Sequence, residues 1–377
     1  MKKAVIAASL GLWLASAGPA EALDSTSDTA TVQWSIPSDA EIRQILVERI
    51  DARHQSVGMV VGVIDAKDRR IVSYGQLDEG DPRPLNGDTV FEIGSITKVF
   101  TSLLLADMTL RGELTLDDPV GKYLPSTVTM PERGGQHITL IDLATHRSGL
   151  PRMPENFYPK DTANPYADYT VDQLYEFLNT YRLTRDVGAR HQYSNLGGGL
   201  LGHVLAVRAG MDFEPLVRER ITEPLGMKDT AIALSPNMRA RLAVGHDGRM
   251  KPAKNWDVPT LAGAVALRST ANDLLRFLAA ELGLVDTTLK SAMKAQLSVR
   301  RPGAVSSTQI ALGWYVSEIQ SRTVIRHNGI TGGYRSFMAF DPQARVGVVV
   351  LSNAYTRIGP DDIGRHVLTG APLQAPQ

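Results

Sequence analysis

Cysteine is absent from this chain of 377 residues. Its absence excludes disulfides, thiolate nucleophiles, cysteine-bound metals and a lipid attached through a cysteine. A chain of this length without disulfides has to be stabilised by a large hydrophobic core, and its hydrophobic fraction of 43% is ordinary for a globular protein. We therefore expect one large domain rather than a small cross-linked scaffold.

An excess of charge of either sign is also missing, because 40 basic residues balance 40 acidic ones. This balance argues against a nucleic-acid partner or an anionic membrane surface as a partner. The eight histidines include no His-x-x-x-His or His-Glu-x-x-His pattern. We therefore expect neither a metal site nor a cofactor.

No apolar run is long enough to span a bilayer, which takes about 20 residues. The longest run, Ala4 to Ala17, follows Lys2-Lys3 and precedes Ala20-Glu21-Ala22. This order is typical of a cleavable secretory signal peptide, predicted over residues 1–22. The mature protein is then periplasmic or secreted, without stable membrane insertion; the alternative is an uncleaved N-terminal anchor.

Residues 23–35 are predicted to be a flexible leader and 371–377 a frayed tail, with a single domain over 36–370 between them. The segment from roughly 112 to 260 is rich in loops and helical patterns. Short apolar segments typical of strands occur near both ends of the domain: 58–64, 70–75, 313–319, 324–328, 334–341 and 346–352. The pattern predicts an α+β fold, in which one antiparallel sheet is flanked by helices and a mostly helical subdomain is inserted.

The first candidate site motif is Ser95-Ile-Thr-Lys98, at the start of a segment with helical periodicity. Residues i and i+3 share a helix face, so Ser95 and Lys98 are expected to meet. Lys98, if burial lowers its basicity, can then take the serine proton. The backbone N–H of Ser95 lies in the first turn and is free to hold an oxyanion. The structural alternative is an N-cap serine followed by a solvated lysine.

The second motif is Tyr193-Ser-Asn195, directly before an apolar helical segment. Tyr193 and Asn195 can point at one place, and a nearby cationic lysine would lower the pKa of the phenol. Tyr193 would then relay a proton, and Asn195 would hydrogen-bond a substrate amide. The alternative assigns Tyr193 to packing and Asn195 to an N-cap.

The third motif is His327-Asn-Gly329, at the end of a predicted strand and followed by Ile330. Gly329 would let a substrate backbone lie against the strand edge, and the N–H of Ile330 would be a second oxyanion donor. A single histidine at a strand end is more often a structural hydrogen-bonding residue than a catalyst.

The loop from Pro151 to Tyr169 contains four prolines and several large side chains, among them Met153, Phe157, Tyr158 and Tyr166. One interpretation is a surface loop held by its prolines. The other is a wall or lid of a substrate cleft.

The three motifs, in this order, resemble those of the penicillin-recognising serine hydrolases, a family of serine β-lactamases, D-alanyl-D-alanine peptidases and related esterases. The Tyr-x-Asn form of the second motif is similar to the class C β-lactamase branch. Further blocks of similarity extend the resemblance over about 36–369: Gly112 to Val120, Leu140 to Pro151, Glu223 to Thr230 and Ala262 to Leu274. The resemblance implies a β-lactamase/DD-peptidase-like fold and a small-molecule or peptidoglycan-type substrate.

The resemblance also implies roles for the matching residues. Ser95 is the expected nucleophile of an acyl-enzyme, and Lys98 and Tyr193 share the proton transfers, with the identity of the base left open. Asn195 orients a substrate amide, and the Ser95 and Ile330 N–H groups form the oxyanion hole.

His327 departs from the family pattern, in which a lysine meets the substrate carboxylate. A histidine is largely neutral at pH 7, which favours esters, amides or D-amino-acid peptides over penicillins and cephalosporins. Arg335 is a candidate for the missing positive charge. β-Lactam hydrolysis remains the leading specific hypothesis, with an esterase or a D-stereospecific peptidase close behind.

Two alternative functions belong to other classes. An α/β-hydrolase requires a Gly-x-Ser-x-Gly elbow, which the sequence lacks. A penicillin-binding sensor that is acylated without turnover would keep the same motifs, so the sequence leaves it open.

Overall fold

The computed structural model describes residues 34–375. The predicted signal peptide (1–22), the predicted leader up to residue 33 and the last two residues lie outside the described part of the chain. Within that part, no helix combines the length and apolar character needed to cross a membrane.

The described residues form the following strands and helices. The strands are β1 (Gly58–Ile64), β2 (Arg69–Gly75), β3 (Val90–Glu92), β4 (Glu132–Arg133), β5 (Gln136–His137), β6 (Arg268–Thr270), β7 (Arg301–Pro302), β8 (Thr308–Ile310), β9 (Tyr315–Ile319), β10 (Arg322–Ile330), β11 (Arg335–Asp341) and β12 (Val346–Ser352). The α-helices are α1 (Asp39–Val47), α2 (Thr97–Leu110), α3 (Leu140–Ala144), α4 (Val171–Thr180), α5 (Asn195–Ala209), α6 (Phe213–Val217), α7 (Pro236–Ala240), α8 (Ala262–Val265), α9 (Ala271–Glu281), α10 (Lys290–Ser298) and α11 (Asp361–Thr369). Short 3₁₀ turns cover Gly94–Ile96 and Val120–Tyr123, and π-helical turns cover Glu48–Ala52 and Arg218–Thr222.

Eight strands form one antiparallel sheet in the order β2-β1-β12-β11-β10-β9-β8-β7. The first and last parts of the domain meet inside this sheet, where β1 pairs with β12 from Met59 opposite Ser352 to Ile64 opposite Gly347. β1 and β12 are buried along their whole length, because helices cover both faces of the sheet. The predicted antiparallel sheet built from both ends of the chain is therefore confirmed.

Two hydrophobic cores lie on the two faces of this sheet. The smaller core packs α1 and α11 against one face, through residues such as Leu46, Phe337 and Val367. The larger core packs α9 against the other face and continues through α2 and α5 into the helices between α2 and β6. α2 is buried around almost its whole circumference, from Thr97 to Met108. A helix that is buried on every side can place a polar side chain in a site that water does not reach.

The segment 112–260 contributes no strand to the eight-stranded sheet. It carries α3 to α7 and the β4–β5 hairpin. α5 packs on α2, α3 and α8, so the start of α5 is carried to the start of α2. This contact brings the first two sequence motifs together.

The C-terminal segment differs from the frayed tail that the sequence suggested. Gln374 N–H donates to Asp362 Oδ2 at 2.8 Å, and Arg53 Nη1 donates to the Gln374 carbonyl at 2.9 Å. Leu373 packs against the smaller core. Residues 371–375 are thus anchored. The chain after α11 stays on the face that α1 and α11 cover, where the buried Asp362 carboxylate accepts a hydrogen bond from it.

Candidate active site

Ser95 lies in the 3₁₀ turn that precedes α2, and it faces a cleft. Gly94 has φ of +50°, and a Cβ there would lie 2.6 Å from the Ile330 nitrogen. A glycine is therefore needed where the serine turn abuts the end of β10. Ser95 is not an N-cap, because the residues that cap the two helical segments, Ile93 and Ile96, flank it.

Lys98 is only 3% exposed, so it is not a solvated helix lysine. Its Nζ lies 3.1 Å from Ser95 Oγ, 2.9 Å from Asn195 Oδ1 and 2.8 Å from the Ala264 carbonyl oxygen. Within residues 34–375 no carboxylate forms an ion pair with it. Burial, and next the positive charge of Arg152, hold the pKa of Lys98 well below its ordinary value.

The three neighbours of Lys98 determine how its amine, when neutral, orients its two N–H groups and its lone pair. A neutral amine has two N–H donors and one lone pair, and the Asn195 and Ala264 oxygens are acceptors only. These two oxygens take the two N–H groups. The lone pair is left facing the Ser95 hydroxyl, the one neighbour with a proton to give.

The space for the Lys98 side chain comes from Gly198 on α5. A Cβ at Gly198 would lie 2.8 Å from Lys98 Cε and 3.2 Å from its Cδ and Cγ. Such a contact is too close for either side chain in its present position. Gly198 therefore allows α5 to pass directly over the lysine.

Tyr193 donates its O–H to Ser95 Oγ at 2.7 Å. Burial raises the pKa of Tyr193 above its ordinary value, although the hydrogen bond to Ser95 opposes this effect. The expectation of a lowered phenol pKa is wrong, because burial of the phenol outweighs the effects that lower its pKa. Lys98 lies 4.8 Å from the centre of the Tyr193 ring, and burial lowers the pKa of Lys98 as well.

Asn195 is the first residue of α5, and the N-cap is Ser194, whose Oγ accepts from Gly197 N–H at 2.8 Å. The Asn195 side chain accepts from Lys98 through Oδ1 and donates from Nδ2 to Tyr166 Oη at 3.0 Å. These two partners assign the oxygen and the nitrogen of the amide. Asn195 also lines the cleft, with one Nδ2 hydrogen remaining.

His146 contacts the segment around Tyr193 through its backbone and its ring. Its carbonyl accepts from Gln192 N–H at 2.7 Å, its Nδ1 accepts from Ser194 N–H at 3.2 Å, and its ring lies 4.5 Å from the Tyr193 ring. Burial, followed by the nearby Lys98, keeps its pKa well below the ordinary value. The ring therefore stays neutral, and its Nδ1 remains an acceptor. The sequence contained His146 in a block similar to the family but offered no reason to assign it a role.

Two residues of the third motif, His327 and Gly329, lie beneath the cleft, whereas Asn328 between them is in its lining. His327 is 1% exposed, and burial lowers its pKa to about 3, so the expectation of a neutral side chain is confirmed. Its Nδ1 lies 2.7 Å from the Asn328 carbonyl oxygen, and its ring packs on Tyr315. A Cβ at Gly329 would lie 1.9 Å from the Ile93 carbonyl oxygen. Gly329 is thus needed for the contact of β10 with the residues before Ser95, a different reason from the substrate contact that we expected.

The cleft has a volume of about 560 Å³. Its lining consists of Ser95, Arg152, Met153, Phe157, Pro165, Tyr166, Tyr193, Asn195, Trp256, Tyr315, Arg326, Asn328, Ile330 and Tyr355. Five of these come from the 151–169 loop, so this loop forms a wall of the cleft. Tyr158 from the same loop is exposed outside it.

The cleft contains two positively charged side chains that the sequence reasoning missed, Arg152 and Arg326. Arg335, the residue that we had considered for this charge, is not in the lining and lies over the Tyr355 ring at 5.3 Å. The alternation of β10 was an available signal, because Arg326, Asn328 and Ile330 share one face of the strand. Arg152 had no such signal, since it belongs to a loop.

A serine hydroxyl in contact with a buried amine and a phenol, in this fold, defines a serine hydrolase. The Beta-lactamase family model matches residues 43–370. The D-alanyl-D-alanine-carboxypeptidase/endopeptidase AmpH of Escherichia coli strain K12 is 32% identical over 347 residues, covering 85% of this chain and 87% of AmpH.

Solved structures agree with the match. A beta-lactamase/D-alanine carboxypeptidase from Yersinia pestis superposes with a TM-score of 0.74 at 26% identity, covering 85% of this chain and 93% of that one. A class C beta-lactamase from Rhodobacter sphaeroides superposes with a TM-score of 0.73 at 27% identity, covering 84% and 95%. The chain therefore belongs to the β-lactamase family, and the predicted fold class is confirmed.

Proposed function

We propose that this serine hydrolase cleaves the D-alanyl-D-alanine type of amide bond found in peptidoglycan peptides, through an acyl-enzyme on Ser95. The observation that carries the proposal is the pair of contacts to Ser95 Oγ, from Lys98 Nζ at 3.1 Å and from Tyr193 Oη at 2.7 Å. The similarity to AmpH over 85% of the chain supports the choice of substrate class.

In the acylation step, the lone pair of Lys98 takes the Ser95 proton while Oγ bonds to the substrate carbonyl carbon. The N–H groups of Ser95 and Ile330 hold the resulting oxyanion. Tyr193 is protonated at rest and in contact with the reacting oxygen, so it gives its proton to the leaving nitrogen as the C–N bond breaks. Lys98, now protonated, then transfers its proton to the phenolate of Tyr193, which restores the starting protonation state of both residues.

The lowered pKa of Lys98 and the raised pKa of Tyr193 support this assignment of base and acid. A base must be neutral before the reaction, and an acid must hold its proton. Asn195 acts in the same step by keeping Lys98 aimed at Ser95, and its remaining Nδ2 hydrogen is placed to meet a substrate carbonyl.

Hydrolysis of β-lactams is the second candidate function, and the likeness to a class C beta-lactamase favours it. The neutral His327 argues for weaker recognition of β-lactam carboxylates than a lysine would give. We propose that β-lactams acylate Ser95 and that the acyl-enzyme is released slowly.

We also propose that the protein is exported. The support is the n-region, apolar run and Ala-x-Ala site in residues 1–22. Cleavage after Ala22 and export to the periplasm or medium are checked by N-terminal sequencing of the protein recovered from each fraction.

Time-resolved intact mass spectrometry tests the function. The protein and Ser95→Ala are mixed separately with an acyl-D-alanyl-D-alanine peptide and with a penicillin. A Ser95-dependent adduct and release of D-alanine are expected with the peptide, and a persistent adduct with the penicillin. A rapidly decaying penicillin adduct with opened drug, and no D-alanine release, would instead establish a β-lactamase. Absence of both adducts, with turnover of short-chain esters, would make the protein an esterase.

A further inference from the structure

The cleft has an uneven distribution of charge. Its lining includes two arginines, Arg152 and Arg326, and no aspartate or glutamate. Within residues 34–375 neither guanidinium forms an ion pair with a carboxylate. An unpaired positive charge in a cleft attracts an anionic group of a ligand.

Arg152 is held close to the proposed acid. Its guanidinium carbon lies 5.2 Å from the centre of the Tyr193 ring. Its carbonyl oxygen accepts from Asn195 N–H at 3.0 Å and Leu196 N–H at 3.1 Å, which fixes its backbone to the start of α5. Arg152 and the residues that contact Ser95 are therefore parts of one rigid arrangement.

Arg326 is placed differently. Its guanidinium lies 5.6 Å from the centre of the Tyr315 ring, and both the positive Arg365 and the negative Asp361 of α11 act on it electrostatically. Asp361 also accepts from Asn328 Nδ2 at 2.7 Å. Of the two arginines, Arg152 is therefore the one whose guanidinium lies over the Tyr193 ring, whereas Arg326 lies over Tyr315 with a carboxylate nearby.

The chemistry of a D-alanyl leaving group places a carboxylate near this charge. The leaving nitrogen, which takes a proton from Tyr193, is joined to the carboxylate by a single carbon. The carboxylate oxygens thus lie about 3–4 Å from the protonated nitrogen, by ordinary bond lengths. A guanidinium over the Tyr193 ring is within reach, and its fork of donors matches a carboxylate.

We propose that Arg152 binds the carboxylate of the leaving group and determines the preference for substrates that carry it, in place of the charge that the neutral His327 does not supply. The proposal rests on the proposed function, since it assumes that a D-amino acid leaves from the Tyr193 side of Ser95.

The first experiment measures selectivity. It compares kcat/KM for an acyl-D-alanyl-D-alanine peptide with kcat/KM for the same peptide as its C-terminal carboxamide. Arg152→Gln should lower this ratio about 10- to 100-fold, as expected for a lost charged hydrogen bond. Arg152→Lys should restore part of it. Arg326→Gln should lower it less, and Arg335→Gln, an arginine outside the cleft lining, should leave it unchanged.

An unchanged ratio in Arg152→Gln overturns the proposal. A larger fall of this ratio in Arg326→Gln than in Arg152→Gln also overturns the proposal, and it would show that Arg326 on β10 binds the substrate carboxylate. Thermal unfolding of each variant shows that the ratios refer to folded protein.

The second experiment does not depend on turnover. The Kd of the peptide and of its carboxamide are measured by calorimetry for Ser95→Ala and for Ser95→Ala/Arg152→Gln. Tighter binding of the free carboxylate in the first variant, lost in the second, supports Arg152 even if the wild-type protein releases no D-alanine. Absence of turnover with this binding pattern overturns only the proposed function, whereas equal affinities in Ser95→Ala overturn the role of Arg152.

Discussion

Lys98 and Arg49 are both buried basic residues, and they lie on opposite sides of the eight-stranded sheet. Arg49, 2% exposed, forms an ion pair with the buried Asp362 and donates to Gln55 Oε1 at 3.0 Å. Lys98 has no carboxylate partner in the described structure and contacts only neutral groups. A buried cation with a paired carboxylate ties two helices together, whereas burial without a carboxylate lowers the pKa of the Lys98 amine, which suits the base that we propose.

The largest effect is expected from Lys98→Met, which keeps the length and apolar stem of the side chain but removes the amine. We expect kcat/KM to fall about 10²- to 10⁴-fold, the usual contribution of a general base. The melting temperature should stay the same or rise, because Lys98 has no charged partner to lose. Steady-state kinetics and thermal unfolding measure the two effects. A loss of stability with little loss of activity would place Lys98 in the same class as Arg49.

Arg49→Met should have the opposite result. Removing one partner of a buried pair leaves Asp362 buried and unpaired, which costs about 3–5 kcal/mol of unfolding free energy. Urea unfolding measures this loss, and kcat of the folded fraction should be retained.

The double variant Arg49→Met/Asp362→Leu is the control. It should recover most of the stability, since no charge is then left unpaired. No recovery would show that the contacts of Asp362 with the C-terminal segment, rather than the ion pair, stabilise this face.

Gly198→Ala tests how finely Lys98 is placed. The new methyl group would approach Lys98 Cε to 2.8 Å and push the amine away from Ser95. We expect kcat/KM to fall about 10- to 100-fold, because misplacement of a catalytic group by about 1 Å has effects of this size. The helix itself should not lose stability, since alanine favours helices over glycine by about 0.5–1 kcal/mol. Gly121→Ala, where the nearest atom is 3.5 Å away, is the matched control.

The smallest effect is a shift of the pH profile. Arg152 is the second cause, after burial, of the lowered Lys98 pKa. Activity needs the neutral amine, so kcat/KM rises as the pH increases through this pKa. Removing the positive charge in Arg152→Gln raises the Lys98 pKa, and the acid limb should move to higher pH. The limb is measured on the carboxamide substrate, with Arg335→Gln as reference. A limb that moves to lower pH would mean that the limb reports a group other than Lys98.

Local patterns predicted the parts of the structure that depend on local geometry. The i, i+3 spacing placed Lys98 beside Ser95, and short apolar segments located the strands at both ends of the domain. The pKa shifts of the site residues could not be predicted from local patterns, because they depend on burial that arises only in the folded chain. The pKa of Tyr193 was predicted in the wrong direction for this reason.

The contacts that loops make in the site could not be predicted from the sequence. Arg152 and Tyr166 reach the site because the 151–169 loop folds over α5, and no periodicity reports the path of a loop. The position of His327 below the cleft follows from which face of β10 packs against the helices. A strand pattern shows that two faces exist but does not identify which face receives the substrate.

The pairing of β1 with β12 also decides when this protein can fold. The sheet pairs β1 with β12, so it cannot close until the chain has been synthesised through Ser352. Contacts between such distant segments form slowly. For the export that we propose, this delay has a consequence: the chain is still unfolded when it crosses the membrane, so Ser95, Lys98 and the cleft come together only on the far side.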